Sequence, residues 1–349
     1  MSTIAREDEQ VEVAVGVDTH GDTHTAAVID TTGRLLGCAQ FPADARGYAG
    51  LLAWAMTFGL LLVAAIEGTG AYGAGLARHL RGAGVELLEI DRPDRKTRRF
   101  AGKSDPLDAE AAARAGLSRA RTGIPKDRTG KVEALRNLRV ARRSAVDQRA
   151  DCMRQIKTLL ITAPDELRER LRRLPDRGLL HACASLRPDT TRVGEPEQAV
   201  KVALRSLARR HAALVVEIDD LDELIAPLVT AINPALLELN GVGADVAGQL
   251  LVTAGENTDR LHSEAAFAML CGVAPIPASS GRTHRHRLNR GGDRQANAAL
   301  YRIVLCRLRW DPRTQAYVQR RTEQGLSKKD IIRCLKRFIA REIYYVLTA

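Results

Sequence analysis

The chain has 349 residues, 45% of them apolar, which is enough for two compact domains and a connecting element and too apolar for a disordered polymer. No run of about 18 uncharged apolar residues is present to span a bilayer, and the start lacks the basic-then-apolar layout of a secretory signal, so a cytoplasmic protein with no membrane partner is expected. The formal charge of +11 is segregated: residues 1–91 carry −7, residues 92–180 +12, residues 181–280 −6 and residues 281–349 +12.

Two basic blocks suit a polyanionic partner, because each Lys or Arg that meets a phosphate releases condensed counterions. A solvated basic face that binds nothing in particular is the plainer alternative. The six cysteines are scattered without a CxxC pair, which argues against a zinc ribbon or a disulfide framework and for reduced, mostly buried thiols.

In chain order, β-branched runs at 11–17 and 25–30 flank a Gly21-Asp22 turn signal and predict a β-hairpin. Apolar runs at 60–66 and 85–90 predict two further strands, separated by helical patterns at 47–56 and 71–81. Antiparallel strands followed by alternating helix and strand indicate an α/β core of ribonuclease H-like type. After Pro125 the pattern changes to long Arg/Ala/Leu-rich helices at about 128–162 and 196–231, joined by a Pro-containing region. They read as a coiled-coil arm for oligomerisation or, equally simply, as a helical subdomain.

Beyond Pro234, ELNGVGADVAGQLLVTAGE places glycines in a tight turn between short helices. This layout suits a helix-hairpin-helix whose turn amides face a DNA backbone, and plain helix packing explains it as well. An apolar helix at 263–271, a Pro-rich loop, the basic stretch GRTHRHRLNRGGDR and helices at about 293–310 and 327–347 complete the chain. The predicted division is 1–125, 126–232 and 233–349.

Four carboxylates stand where such a core would build a metal site. Asp18 ends the first strand in VAVGVDTH, and Glu67 follows the third in LLVAAIEGTG. Asp105 and Asp108, in GKSDPLDAEAAARA, are three apart at a helix start, so both can point to one side. Magnesium favours such hard oxygen ligands and keeps waters that phosphate oxygens can replace. Taken singly, Asp108 could serve only the helix N-terminus and Asp18 only a turn. Pro106 is expected to leave Asp105 outside the helix. His20, Asp22 and His24 alternate with Asp18, but the turn between them favours a hairpin-loop or substrate-contact role over a second metal site.

In PIPASSGRTHRHR two serines precede a glycine and a run of Arg and His, a setting in which a hydroxyl could meet a neutralised phosphate. A polar loop making only DNA-backbone contacts is the reading the residues alone favour. Arg282, Arg285, Arg287, Arg290 and Arg294 are candidates for holding phosphates, and His284 and His286 for contacting them.

Together, GVDTHGDTHTAAVID, AIEGTGAY and GKSDPLDAEAAA resemble the N-terminal RuvC-like domain of the DEDD transposases, the insertion-sequence recombinases guided by a bridge RNA. The segments GVGADVAGQLL, FAMLCGVAPIPASSGRT and NRGGDRQANAAL resemble that family's C-terminal transposase domain, and the likeness runs over roughly residues 11–345. Departures are Pro106, where the family usually has a charged residue, and EGTG, where ESTG is common. The resemblance implies that Asp18, Glu67, Asp105 and Asp108 bind Mg²⁺. It also implies that a serine in an SG context is the nucleophile, with Ser280 fitting best and Ser279 the alternative. Donor and target DNA, a structured guide RNA and a homo-oligomer, a dimer assembling to a tetramer, are the partners it implies. Two rival readings are a metal-dependent junction-resolving nuclease without a covalent intermediate and a non-catalytic nucleic-acid-binding protein.

Overall fold

Period-two alternation puts Val13, Val15 and Val17 on one face of β1 (Glu12–Thr19) and Ala14, Gly16 and Asp18 on the other. The computed structural model describes residues 11–90, 104–119, 122–282 and 285–349. In it, β1 pairs antiparallel with β2 (Thr23–Asp30), which pairs antiparallel with β3 (Leu35–Pro42). On its other side β1 runs parallel to β4 (Leu60–Glu67), followed by parallel β5 (Leu87–Ile90) and antiparallel β6 (Thr122–Gly123). The resulting mixed sheet has the order β3-β2-β1-β4-β5-β6, consistent with a ribonuclease H-like core. The sequence pattern does not announce β3, because this edge strand is only half-buried and carries no continuous apolar run.

One face of the sheet is covered by α1 (Ala45–Met56) and α2 (Ala74–Gly82), whose Leu51, Ala55, Leu76 and Leu80 pack against the odd-numbered valines of β1. Asp44 starts α1 by accepting from the Gly47 amide at 2.8 Å. The other face is covered by α3 (Asp105–Ser118), packed over β1, β2 and β4. Ser104 is the N-cap, Asp105 is the first helical residue and Pro106 follows it in the first turn. The expectation that Pro106 would leave Asp105 outside the helix is therefore corrected: a first-turn amide has no intrahelical partner, so its absence in proline costs nothing there.

The described chain divides into two compact units, Met1–Arg128 with Gly255–Arg260, and Thr129–Ala254 with Leu261–Ala349. In the first unit Asn257 joins the two segments, donating to the Pro125 carbonyl at 3.0 Å.

In the second unit α4 (Gly130–Ile161) pairs lengthwise with α7 (Pro196–Ile232). The pairing is antiparallel: Arg142 meets Asp222 near one end, and Leu160 shares a cluster with Leu204 towards the other. At about 1.5 Å per residue α4 is roughly 48 Å long. The end near Leu160 is closed by α5 (Asp165–Leu171) and α6 (Asp176–Ala184) through Leu167, Leu171, Leu179 and Cys183. At the opposite end Leu135, Ile225 and Val229 enter a core shared with α8 (Ala235–Glu238), α9 (Ala244–Ala254), α10 (Glu264–Leu270), α11 (Arg294–Trp310) and α13 (Lys328–Thr348). Between the last two lies α12 (Pro312–Glu323), which the sequence pattern treats as a connection. Pro312 ends α11 and opens α12, and Asp311 accepts from the Thr314 amide at 3.0 Å. Among the described residues no helix is long and apolar enough to cross a membrane.

An ion network binds α4, α9 and α11: Asp245 meets Arg139 at 2.9 Å, Arg302 at 2.6 Å and Arg142 at 3.3 Å. Burial alone would raise the Asp245 carboxyl, but Arg139 and Arg302 outweigh it and hold the group below the usual carboxylate range. Asp245→Ala leaves these guanidiniums facing one another and is expected to lower stability by about 2–3 kcal/mol, read from urea unfolding of the full chain.

A second carboxylate, Asp30 at the end of β2, accepts from the Thr32 hydroxyl at 2.6 Å and the Arg34 amide at 2.9 Å. These bonds, the Thr32 hydroxyl first, hold its pKa at about 2, below the ordinary 3.8. The stability Asp30 contributes is thus present above about 3.8 and is lost as the pH falls through about 2. The gap in melting temperature between the native chain and Asp30→Ala should narrow over that window in a pH series of thermal melts.

Candidate metal centre and hairpin serine

Parity along the strands places the first acidic residues. Asp18 shares the α3-facing side of β1 with Ala14 and Gly16, and Glu67 shares that side of β4 with Val63 and Ala65. Val17 is level with Ile66, so Asp18 and Glu67 follow one another at the carboxyl ends of adjacent parallel strands. Thr19 Oγ1 ties these ends together by donating to the Glu67 carbonyl at 2.8 Å. Gly68 takes φ +73°, which lets the backbone turn away directly after Glu67.

The remaining two carboxylates arrive on α3. A Cβ on Gly16 would lie 2.1 Å from both the Ala109 carbonyl oxygen and the Ala113 nitrogen, so only glycine admits the helix this close to β1. This seat brings the first turn of α3, with Asp105 and the buried Asp108, to the Asp18 end of the strand.

The closest cluster differs from the expected set. Asp18, His20 and Asp105 each offer a ligand atom, and these atoms lie within 4.8 Å of one another. His20 Nε2 sits 3.3 Å from Asp18 Oδ2 and 3.5 Å from Asp105 Oδ1. Glu67 and Asp108 stand on the same face but outside this cluster. Two carboxylates converging on one point repel each other unless a cation or a protonated imidazole lies between them, and a divalent ion suits this donor set. An imidazole nitrogen widens the fit beyond Mg²⁺ to softer divalent ions such as Mn²⁺.

His20 sits at the hairpin loop, as the sequence favours, and also joins this cluster. The turn does interrupt the strand, since the His20 amide donates to the Thr23 carbonyl at 3.0 Å, yet the two-residue spacing from Asp18 survives it. That spacing was the available signal. His24 goes the other way: fully buried on the opposite face and stacked on Tyr48 at 5.6 Å, it has its pKa lowered by burial. Asp22 is exposed.

In the second unit β7 (Ile276–Pro277) and β8 (His286–Arg287) form a short hairpin whose loop holds both candidate serines. Ser279 Oγ is occupied by the Arg285 backbone, accepting from its amide at 3.2 Å. Ser280 is exposed, and no described residue hydrogen-bonds to its Oγ. Arg282, Arg285, Arg287, Arg290 and Arg294 are all exposed, and among the described residues none of them forms an ion pair. By contrast, Arg136, Arg142 and Arg143 of α4 are matched to Glu133, Asp222 and Asp147. His286 lies in β8, and His284 lies outside the described residues. The Gly-containing turn between α8 and α9 has the short-helix, turn, helix layout read from the sequence.

Comparison with known proteins finds that residues 15–163 match the DEDD family of IS110 type, described as "Transposase". Residues 233–319 match the "Transposase IS116/IS110/IS902 family". A 202-residue stretch is 29% identical to "Insertion element IS110 uncharacterized 43.6 kDa protein" of Streptomyces coelicolor (strain ATCC BAA-471 / A3(2) / M145), covering 57% of this chain and 44% of that protein. Another, of 144 residues, is 27% identical to "Insertion element IS900 uncharacterized 42 kDa protein" of Mycobacterium paratuberculosis, covering 40% and 36% respectively. The chain thus spans less than half the length of each of these relatives.

The seat of α3 can be tested directly. Gly16→Ala should lower stability by about 2–4 kcal/mol, because neither contacting backbone atom can move without the helix. Mn²⁺ is expected to raise the melting temperature of the native chain, and Gly16→Ala should abolish that rise, measured in parallel thermal melts with and without the ion.

Proposed function

Because this chain belongs to the DEDD transposase family of IS110-type insertion elements, we propose that it is a DNA transposase that joins a serine nucleophile to a cation-assisted carboxylate site. Asp18, Glu67, Asp105 and Asp108 are the carboxylates in this reading, with Mg²⁺ as the ion and His20 as an additional neighbour. The observation that carries the metal half is the approach of Asp18 and Asp105 to the same His20 nitrogen, at 3.3 and 3.5 Å. A bound divalent ion would supply charge neutralisation and Lewis acidity at the transferred phosphoryl oxygens.

The protein's own groups account for the rest. Ser280 Oγ attacks a phosphodiester phosphorus, its proton leaves to base or solvent, and the departing strand carries away a 3′ or 5′ oxygen. A covalent phosphoserine joins protein to DNA. Ser280 is preferred to Ser279 because Ser279 Oγ is engaged by Arg285. Arg282, Arg285, Arg287, Arg290 and Arg294 hold the flanking phosphates. That none of them has a carboxylate partner among the described residues supports this, since paired guanidiniums would first have to surrender an ion pair.

Recognition rests on backbone and shape: aromatic residues are only 4% of the chain, too few for broad base-stacking surfaces. In this reading 1–125 is the RuvC-like domain, 126–232 the oligomerisation arm and 233–349 the serine-bearing domain. A structured bridge RNA supplies target choice, and a homotetramer brings carboxylate and serine domains from different copies to one DNA site.

Ser280→Ala should abolish the covalent protein–DNA adduct, a fall of at least about 10³-fold on denaturing gels, while Ser279→Ala retains it. Strand cleavage that continues without adduct in Ser280→Ala would instead favour a hydrolytic nuclease using the carboxylates and water.

A further inference from the structure

At the foot of the β7–β8 hairpin is a pocket of about 710 Å³, bounded by the loop after α10, by β8 with the residues that follow it, and by α13. Part of its wall is apolar, formed by Val273, Ala274, Leu288 and Phe338, a residue that is 54% exposed. The rest is polar with an excess of positive charge, Arg287, Arg290, Arg333, Lys336 and Arg337 against the carboxylate of Asp330. Lys336 of α13 donates to Asn297 Oδ1 at 2.7 Å, while Asn297 Nδ2 donates to the Gly272 and Cys271 carbonyls at 2.9 and 3.2 Å. Those two bonds fix the amide, so its oxygen has one direction to face and the ammonium is held at the pocket.

Lys336 is half-buried and has no carboxylate partner among the described residues. The carboxylate of the lining, Asp330, is engaged by Arg333 at 2.7 Å and by the Ser327 hydroxyl at 2.6 Å. Nearby Arg337 is satisfied by Glu264. Burial, and then Arg333, push the Lys336 pKa down, as expected for a charge that lacks its counterion. On the hairpin side Arg287 and Arg290 reach the same pocket, exposed and with no ion pair among the described residues. Such a site asks for an anion, and its volume and apolar wall suit something larger than a free phosphate.

We propose that this pocket binds one nucleotide of the DNA strand that Ser280 attacks, its phosphate on Lys336 and Arg290 and its base against Phe338 and Leu288. The proposal rests on the serine reading above and adds to it a means of fixing strand register. Ser280 lies three residues beyond Pro277, about 10 Å along an extended strand from the hairpin's foot. A nucleotide held at the foot therefore sets which phosphate reaches the loop.

The test uses the full chain carrying Ser280→Ala, so that binding stays reversible, and reads fluorescence anisotropy of a short labelled single-stranded DNA oligonucleotide across a salt series. Adding Lys336→Gln should weaken binding about tenfold and reduce the salt slope by about one, with Lys336→Arg close to the parent. Phe338→Ala should weaken binding about tenfold with the slope unchanged. Phe338 and Arg290 are exposed, so Phe338→Ala and Arg290→Gln keep the test decisive should Lys336→Gln fail to fold. Unchanged affinity and slope in these variants would overturn the proposal. Weakening confined to an RNA oligonucleotide of the same sequence would also overturn it, by removing the DNA assignment. Covalent adduct persisting in Ser280→Ala would remove the serine reading alone, whereas loss of adduct with binding indifferent to Lys336, Arg290 and Phe338 would remove the pocket alone.

Discussion

The candidate metal centre depends on how closely α3 can lie on the sheet. Its backbone rests on Gly16 of β1, where any side chain would collide at 2.1 Å, and Gly116 is set against the Ala65 side chain of β4. Small residues at these crossings bring the helix axis nearer to the strands than ordinary side chains would allow. The consequence is felt one turn earlier, where Asp105 comes within reach of His20 and Asp18. Carboxylates brought together this way repel one another when empty. The packing that unites them must therefore supply stability that the site itself does not, a common condition of functional centres.

The two faces of the sheet divide the labour. On one, the valines of β1, with Leu51, Leu76 and Leu80, make an ordinary apolar core. On the other, the same strand carries Ala14, Gly16 and Asp18, shrinking along its length and then turning polar. One eight-residue strand thus anchors the unit through its odd positions and carries the acidic residue of the candidate site among its even ones. Both parallel strands present their acidic residue at the carboxyl end, the edge at which α/β sheets generally gather ligands.

The basic residues of the second unit also divide into two populations. Along α4 and around Asp245 guanidiniums are matched to carboxylates and contribute to folding. On the β7–β8 hairpin they have no carboxylate partner among the described residues, and Lys336 behind it donates to an amide oxygen. Net charge by sequence block registers both alike, although the hairpin guanidiniums, unlike the matched ones of α4, can meet a polyanion without first breaking an ion pair.

Much of this was legible in the residues themselves. The strand runs, the hairpin after Val17, the two long helices and the acidic residues at strand and helix ends all follow from periodicity and local propensity, which act over a few neighbours. Strand β3 and helix α12 escaped because an exposed edge and a polar helix leave no apolar period to read. What only tertiary structure decided are relations between distant segments. His20 joins Asp18 and Asp105 while Glu67 and Asp108 lie outside that cluster, Ser279 Oγ is engaged by Arg285 while Ser280 is exposed, and Gly255–Arg260 belongs with the first unit. The physical reason is the same in each case: local sequence fixes which way a side chain leaves its own backbone, whereas the partner it meets depends on packing between elements far apart in the chain.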